Sequence, residues 1–150
     1  MNDYNHNPKE YDPRMHSAEH LLNQTMVRMF HCGRAFSAHI EKKKSKCDYH
    51  FDRNLTADET GTIEQTMNEM IQADLPIQES FIGRMEAAQR FNLSRLPEEA
   101  GETIRVITIG EYDACPCSGP HAVSTKELGG FKLVSTDWQD GVLRVRFKLQ

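Results

Sequence analysis

The stretch Gly130-Phe-Lys-Leu-Val-Ser135, followed by Asp140-Gly141-Val142-Leu-Arg-Val-Arg-Phe147, decides the fold class of this chain. In its second half, apolar residues alternate with arginines, the two-residue period of a strand with one buried face. Asp140-Gly141 is the dipeptide of a tight turn between paired strands. A strand before this turn and a strand after it imply antiparallel pairing.

Reading outward, Arg105-Val-Ile-Thr-Ile-Gly110 is a buried strand. Between Ala35 and Phe51 two more strands flank a lysine run: Phe36, Ala38 and Ile40 alternate on one side, and Cys47, Tyr49 and Phe51 on the other. Two longer segments have the helical period instead. From Met15 to about Phe30 the apolar stripe is Met15, Leu21, Leu22, Met26 and Met29 or Phe30, with Gly33 as the stop. The next helix opens at Thr56, an N-cap with Glu59 in the capping-box position. Its apolar face is Ile63, Met67, Met70 and Ile71, and Pro76 follows its end. Leu75 to Phe81 reads as a short strand and Ile82 to Phe91 as a short helix with Met85 and Ala88 inward; Pro97 and Gly101 mark a loop. Residues 1–13 are polar, contain Pro8 and Pro13, and read as a mobile or loosely docked arm. Residues 14–150 read as one domain. The whole is an α+β pattern, a mostly antiparallel sheet packed against helices, whose strand order the pattern does not set.

At 150 residues, 38% hydrophobic and 27% charged, the chain can build one core. No run approaches the ~18 apolar residues of a membrane span, and the first residues lack the basic and apolar regions of a secretory signal. A cytoplasmic protein is the expectation. The net charge of −4 provides no global basic field for nucleic acid. Lys42-Lys43-Lys44 and Lys46 form a local basic run, either a solvated hairpin tip or a phosphate contact. Of the four cysteines, Cys32 and Cys47 read as small core residues, and Cys115-Pro116-Cys117 is not a redox C-x-x-C.

Two motifs about a hundred residues apart carry chemistry. His16-Ser-Ala-Glu-His20 places two imidazoles at i and i+4, on one helical face. Cys117-Ser-Gly-Pro-His121 offers a thiol and a third imidazole from a turn that Gly119 and Pro120 shape. Together His16, His20, Cys117 and His121 offer three imidazole nitrogens and one thiolate, a donor set suited to tetrahedral zinc. Glu19 is rotated about 100° from His20 and reads as a solvated or capping carboxylate. Cys115, sharing a face with Cys117 in an extended segment, is a rival or auxiliary ligand. His6, His31 and His50 read as surface or packing residues.

These motifs resemble a known family. His16-Ser-Ala-Glu-His20-Leu-Leu resembles the H-[ST]-A-x-H-L-L helix of the alanyl-tRNA synthetase editing domain. Arg105-Val-Ile-Thr-Ile-Gly followed by Cys117-Ser-Gly-Pro-His121 resembles its strand and C-x-G-x-H turn, and Ser124 to Ser135 resembles its T-x-E-[IL]-G-x-F-K-[IL]-x-S segment. The resemblance runs from about Arg14 to Phe147. It implies the fold common to the threonyl- and alanyl-tRNA synthetase editing domains. The chain is too short for an aminoacylation domain, so it resembles the free-standing AlaX type, short form.

What the resemblance implies is a zinc-dependent hydrolase that deacylates mischarged aminoacyl-tRNA, Ser- or Gly-tRNA(Ala), with zinc held by His16, His20, Cys117 and His121. The zinc would either orient the substrate or activate a water. Cys115 stands where these families often carry an acidic residue, and Pro120 leans toward the threonyl-type turn. Thr25, His39, Glu41 and Ser45 are candidates for contact with the amino acid. Lys42, Lys43, Lys44, Arg144 and Arg146 are candidates for tRNA phosphates. The alternatives are a Ser-tRNA(Thr) deacylase, a non-catalytic zinc-stabilised tRNA-binding module, and a hydrolase of another small ester or thioester.

Overall fold

The computed structural model describes residues 8–91 and 102–150. Helix α1 (Pro13–Phe30) starts where local chemistry dictates: Asp12 caps it by accepting from the Met15 N–H, and Pro13 occupies the first turn. It ends at His31, which takes the left-handed conformation (φ 55°) and returns its N–H to Val27 O. The sequence pattern puts the stop at Gly33; the chain leaves the helix two residues earlier because His31 adopts the cap geometry itself. Helix α2 (Ala57–Gln72) carries the expected capping box, with Glu59 N–H donating to Thr56 Oγ1 and Thr56 N–H donating to Glu59 Oε1. Arg53 grips the same Glu59 with both guanidinium nitrogens and holds its carboxyl at about 2, well below the ordinary range.

Two antiparallel sheets complete the domain. Strands β1 (Ser37–His39), β2 (Ser45–His50), β6 (Phe131–Gln139) and β7 (Val142–Leu149) form one, in the order β1-β2-β7-β6. Strands β3 (Ile77–Gly83), β4 (Thr103–Ile109) and β5 (Asp113–Pro116) form the other, in sequence order. Asp140 (φ 52°) and Gly141 (φ 83°) make the two-residue turn between β6 and β7, as their identities require. A register shift between Leu133 and Ser135 absorbs one residue of β6. Helices α1 and α2 pack together, α2 lying against β6 of the first sheet and α1 meeting β5 of the second. The core between them holds Leu21, Leu22, Met26, Ile63, Met67, Ile71, Tyr49, Phe131 and Phe147, each fully buried and worth roughly 1.5–3 kcal/mol by apolar transfer.

Locally the structure adds to the pattern and in one place departs from it. Strand β3 runs on to Gly83, pairing Ile82 with Ile104, so the short helix α3 (Arg84–Arg90) starts later and turns Ala87 inward. Met85 is 83% exposed and Ala88 is exposed. Strand β5 has no sequence signal, because Asp, Ala, Cys and Pro carry no strand pattern; its pairing with β4 makes it one. Finally, the segment before α1 is docked where it is described. Pro8–Glu10 form a 3-10 turn, and Tyr11 is buried with its ring edge-on to His16 at 4.8 Å. The loop marked by Pro97 and Gly101 lies outside the described residues, as does His6. No described helix is long and apolar enough to cross a membrane.

Candidate metal centre

The N-terminal half of α1 is buried from Met15 to Asn23 without a solvent face, so its polar side chains must find counterparts inside the protein. The 117–121 turn supplies them. It leaves β5 and is tied back to β4 by Cys117 N–H to Arg105 O (3.2 Å). The Arg105 guanidinium donates to Cys117 O (3.1 Å) and Gly119 O (2.8 Å). Gly119 has φ +112°, and a Cβ there would lie 2.3 Å from Pro8 O and 3.1 Å from His16 Cε1. Only glycine lets the turn pass between the docked N-terminal segment and the histidine.

This arrangement gathers His16, His20, Cys117 and His121, with ligand atoms all within 4.8 Å of one another. Cys117 Sγ lies 3.2 Å from His16 Nε2. The His16 and His121 rings stack at 4.0 Å, and the His20 ring stands across the His121 ring at 4.5 Å. Outer contacts select the open nitrogens. His16 Nδ1 faces Pro120 O at 2.9 Å, which leaves Nε2 toward the thiol. His121 Nδ1 lies 2.9 Å from Ser17 Oγ, which also accepts from Ala122 N–H. His121 Nε2 is then buried with no hydrogen-bond partner, as is His20 Nδ1. Buried orphaned nitrogens beside a thiol are costly in a bare protein and are the chemistry a soft divalent cation satisfies. The residues present therefore fit zinc.

The electrostatics favour ligation at the three imidazoles and oppose it at the thiol. Burial lowers His16 to about 4 and His121 to about 2, and takes His20 well below its ordinary value, each assisted by neighbouring positive groups. All three rings are neutral and free to ligate at neutral pH. Burial raises the Cys117 thiol, with the Glu19 carboxylate adding to the rise.

Several residues of the site have no clear signal in the sequence. Glu19 is not solvated. It is 6% exposed, with Oε1 at 3.9 Å from His16 Nε2 and Oε2 at 3.5 Å from Asn23 Nδ2. Tyr49 OH and Ala35 N–H both donate to Asn23 Oδ1, fixing that amide. Asp113, at the start of β5, lies 3.8 Å from His20 Nδ1 and is held by Arg34 (2.7 and 3.3 Å) and Gln24 (2.8 Å). A carboxylate four residues before Cys117, not two, is thus the acid at the site. Cys115 is outside the four-residue group; its Sγ lies 3.4 Å from Pro116 O. The only advance signal for Asp113 is a carboxylate on the same motif-bearing segment.

The other candidates have these surroundings. Thr25 is fully buried, its hydroxyl donating to Leu21 O and 2.7 Å from Tyr112 OH. Ser45 closes the β1–β2 hairpin, accepting from Glu41 N–H and donating to Glu41 O. His39 Nε2 pairs with Glu41 Oε1 at 2.7 Å. Lys42, Lys43 and Lys44 are exposed at that hairpin tip. Arg144 is bidentate to Asp48, and Arg146 pairs with Asp137. A cavity of about 200 Å³ opens beside His121, lined among others by Ile77, Glu79, Arg105 and Val123.

Comparison with known proteins identifies relatives of this chain. Residues 104–146 match the threonyl and alanyl tRNA synthetase second additional domain. An alanine–tRNA ligase of Methanopyrus kandleri is 34% identical over 139 residues, 89% of this chain and 15% of the ligase. One of Methanococcus maripaludis is 31% identical over 89% of the chain and 16% of the ligase, and one of Exiguobacterium sibiricum 32% over 80% and 14%. The chain thus spans about 15% of the length of these ligases. Through this likeness over most of its length the chain is related to the alanyl-tRNA synthetases, and its residues 104–146 carry the match to the second additional domain named for them and for threonyl-tRNA synthetases.

Proposed function

We propose that this protein is a zinc-dependent trans-editing hydrolase, which cleaves the ester between a wrongly attached serine or glycine and the terminal ribose of tRNA(Ala). The observation that carries the proposal is the cluster of three histidines and a cysteine, its four ligand atoms within 4.8 Å, on a chain related to alanine–tRNA ligases. His16, His20, Cys117 and His121 would hold the ion. When bound, zinc supplies Lewis acidity and a fixed point for a lone pair of the substrate.

The protein's own residues account for the rest. Pro120 O and Ser17 Oγ hold the His16 and His121 rings in the orientation that leaves Nε2 inward. Arg105 braces the turn through two carbonyls. Glu19 brings a mostly buried carboxylate to the edge of the cluster, where it can accept a hydrogen bond from the attacking water or from the substrate's α-ammonium group. Hydrolysis adds the elements of water across the ester and returns the ribose hydroxyl and a free amino acid. An ester is already activated, so positioning supplies much of the rate. The cavity beside His121 has room for a small aminoacyl group, and a hydrogen bond to the serine hydroxyl would discriminate more strongly than size alone. Of the residues considered for that contact, His39 and Glu41 lie on the partly open hairpin; the hydroxyls of Thr25 and Ser45 already have internal bonds. A cytoplasmic location, beside the tRNA pool, belongs to this reading.

The test is deacylation of Ser-, Gly- and Ala-tRNA(Ala), and of Ser-tRNA(Thr), by metal-analysed wild type and Cys117→Ala. Loss of serine or glycine from tRNA(Ala), spared alanine, one zinc per chain and an inactive, zinc-free variant are expected. Preference for Ser-tRNA(Thr) would reassign the substrate. Zinc binding with no turnover on any of the four would leave a non-catalytic tRNA-binding module or another ester substrate.

A further inference from the structure

The four-stranded sheet has a face turned away from the helices, and its register places like charges directly opposite one another. Lys46 on β2 is the partner of Arg146 on β7, and Lys132 on β6 is the partner of Lys148 on β7. Inward neighbours of these residues (Cys47, Val145, Phe147 and Phe131) are buried, so the cations share the outer face. Like charges at opposed positions destabilise a sheet. Two such pairs in adjoining rows concentrate four cations on one face of a chain whose net charge is −4. The acidic groups on this face, Asp48 and Asp137, sit one row further along, opposite Arg144. Within the band itself, Arg146 reaches Asp137 at 2.7 Å and Lys132 approaches Glu64 at 3.9 Å.

The band is continuous with the lysines of the hairpin tip. Ser45, the residue after Lys44, pairs with Phe147, between Arg146 and Lys148. Three strands at ~4.8 Å spacing carry the charge ~10 Å across the sheet, the scale of neighbouring backbone phosphates. Its far end also leads to the metal centre. Gln150, two residues beyond Lys148, exchanges backbone hydrogen bonds with Gly130. Arg14, two residues before His16, donates to Glu127 O and Leu128 O just ahead of Gly130.

We infer that this band, in which Lys132 and Lys148 join Lys46 and Arg146, is the surface that binds the phosphate backbone of the substrate tRNA. The inference rests on the tRNA reading above. Phosphates offset the like-charge repulsion that the bare sheet bears, and each neutralised phosphate releases condensed counterions.

The experiment measures Kd for unacylated tRNA(Ala) against KCl concentration, for wild type, Lys132→Gln/Lys148→Gln and Arg90→Gln, together with each protein's Tm. The double variant is expected to bind on the order of ten-fold more weakly at physiological salt, with a log Kd–log salt slope shallower by about 1–2. Its Tm should equal or exceed that of wild type, since a repulsive pair is removed. Arg90→Gln, a cation lost on α3, should keep the wild-type slope. A double variant with an unchanged slope would overturn the inference while leaving the tRNA reading intact, and an equal loss in Arg90→Gln would reduce the effect to net charge and overturn it too. Wild type that binds no tRNA would overturn both.

Discussion

Replacing Gly119 by alanine tests how the site is assembled. Two costs follow from the structure. The backbone at φ +112° is one that residues with a Cβ rarely adopt, worth of order 1–3 kcal/mol. The added Cβ would also lie 2.3 Å from Pro8 O and 2.7 Å from Pro8 C. Backbone atoms cannot yield as a flexible side chain does, so the Pro8–Glu10 turn must shift. That frees Tyr11, now 7% exposed, at a further ~1.5–3 kcal/mol. The total is about 2.5–6 kcal/mol, a fall in Tm of about 5–24 °C for a chain of this size. Two other glycines separate the terms. Gly141 has φ +83° and nothing within 4 Å of its Cβ position, so Gly141→Ala should cost about 1–2 kcal/mol. Gly61 lies inside α2 with open space around it, so Gly61→Ala should stabilise by up to ~1 kcal/mol. Thermal unfolding of the three variants, with zinc affinity measured alongside, is the assay. Because the Gly119 Cβ would also lie 3.1 Å from His16 Cε1, Gly119→Ala alone should weaken zinc binding. A Gly119→Ala protein as stable as Gly141→Ala, with unchanged zinc affinity, would refute the reasoning.

Other tests address the charges and caps. His16 has a folded pKa of about 4, below its ordinary 6.5, so the unfolded chain binds the proton more readily. The stability of the zinc-free protein should therefore be fully present above pH 6.5 and decline as pH falls toward 4. Urea midpoints that stay level from about pH 7 to 4.5 would contradict this. Asp113→Ala leaves Arg34 without its carboxylate and His20 without its neighbour. It should cost about 3 kcal/mol, the low end for a broken buried pair because Arg34 keeps partial solvent contact, and weaken zinc by roughly 10–100-fold; a competition titration with a chromogenic chelator reads the second effect, and wild-type affinity would remove Asp113 from the centre. Thr56→Ala breaks the capping box of α2 and should lower stability by about 1 kcal/mol in chemical denaturation, with zinc affinity untouched.

Much of this is legible in the order of residues. The α2 start at Thr56, the Asp140-Gly141 turn and the alternating strand Val142–Leu149 are local events, set by hydrogen bonds and backbone angles a few residues apart. His16 and His20 share a face by helical period alone, and the likeness to known motifs joins them to Cys117 and His121. Where the sequence pattern misleads, longer-range contacts win. Strand β5 exists because β4 offers it a ladder, not because Asp-Ala-Cys-Pro favours extension. The phase of α3 departs from the pattern because β3 keeps pairing to Gly83. Rotation about the helix axis alone makes Glu19 look like a surface carboxylate. In the fold, the first half of α1 has no outside.

The sequence by itself determined the α+β class, the boundaries of its capped helix and last hairpin, and the identity of the four candidate zinc ligands. Only the tertiary structure decided that Asp113 rather than the residue at position 115 faces His20, that Glu19 is buried at the cluster, and that Lys46, Lys132 and Lys148 join one face with Arg146. The division has a physical cause. Periodicity and caps depend on neighbours along the chain, whereas burial, ion pairing and cross-strand register depend on which distant segments the core brings within a few ångströms.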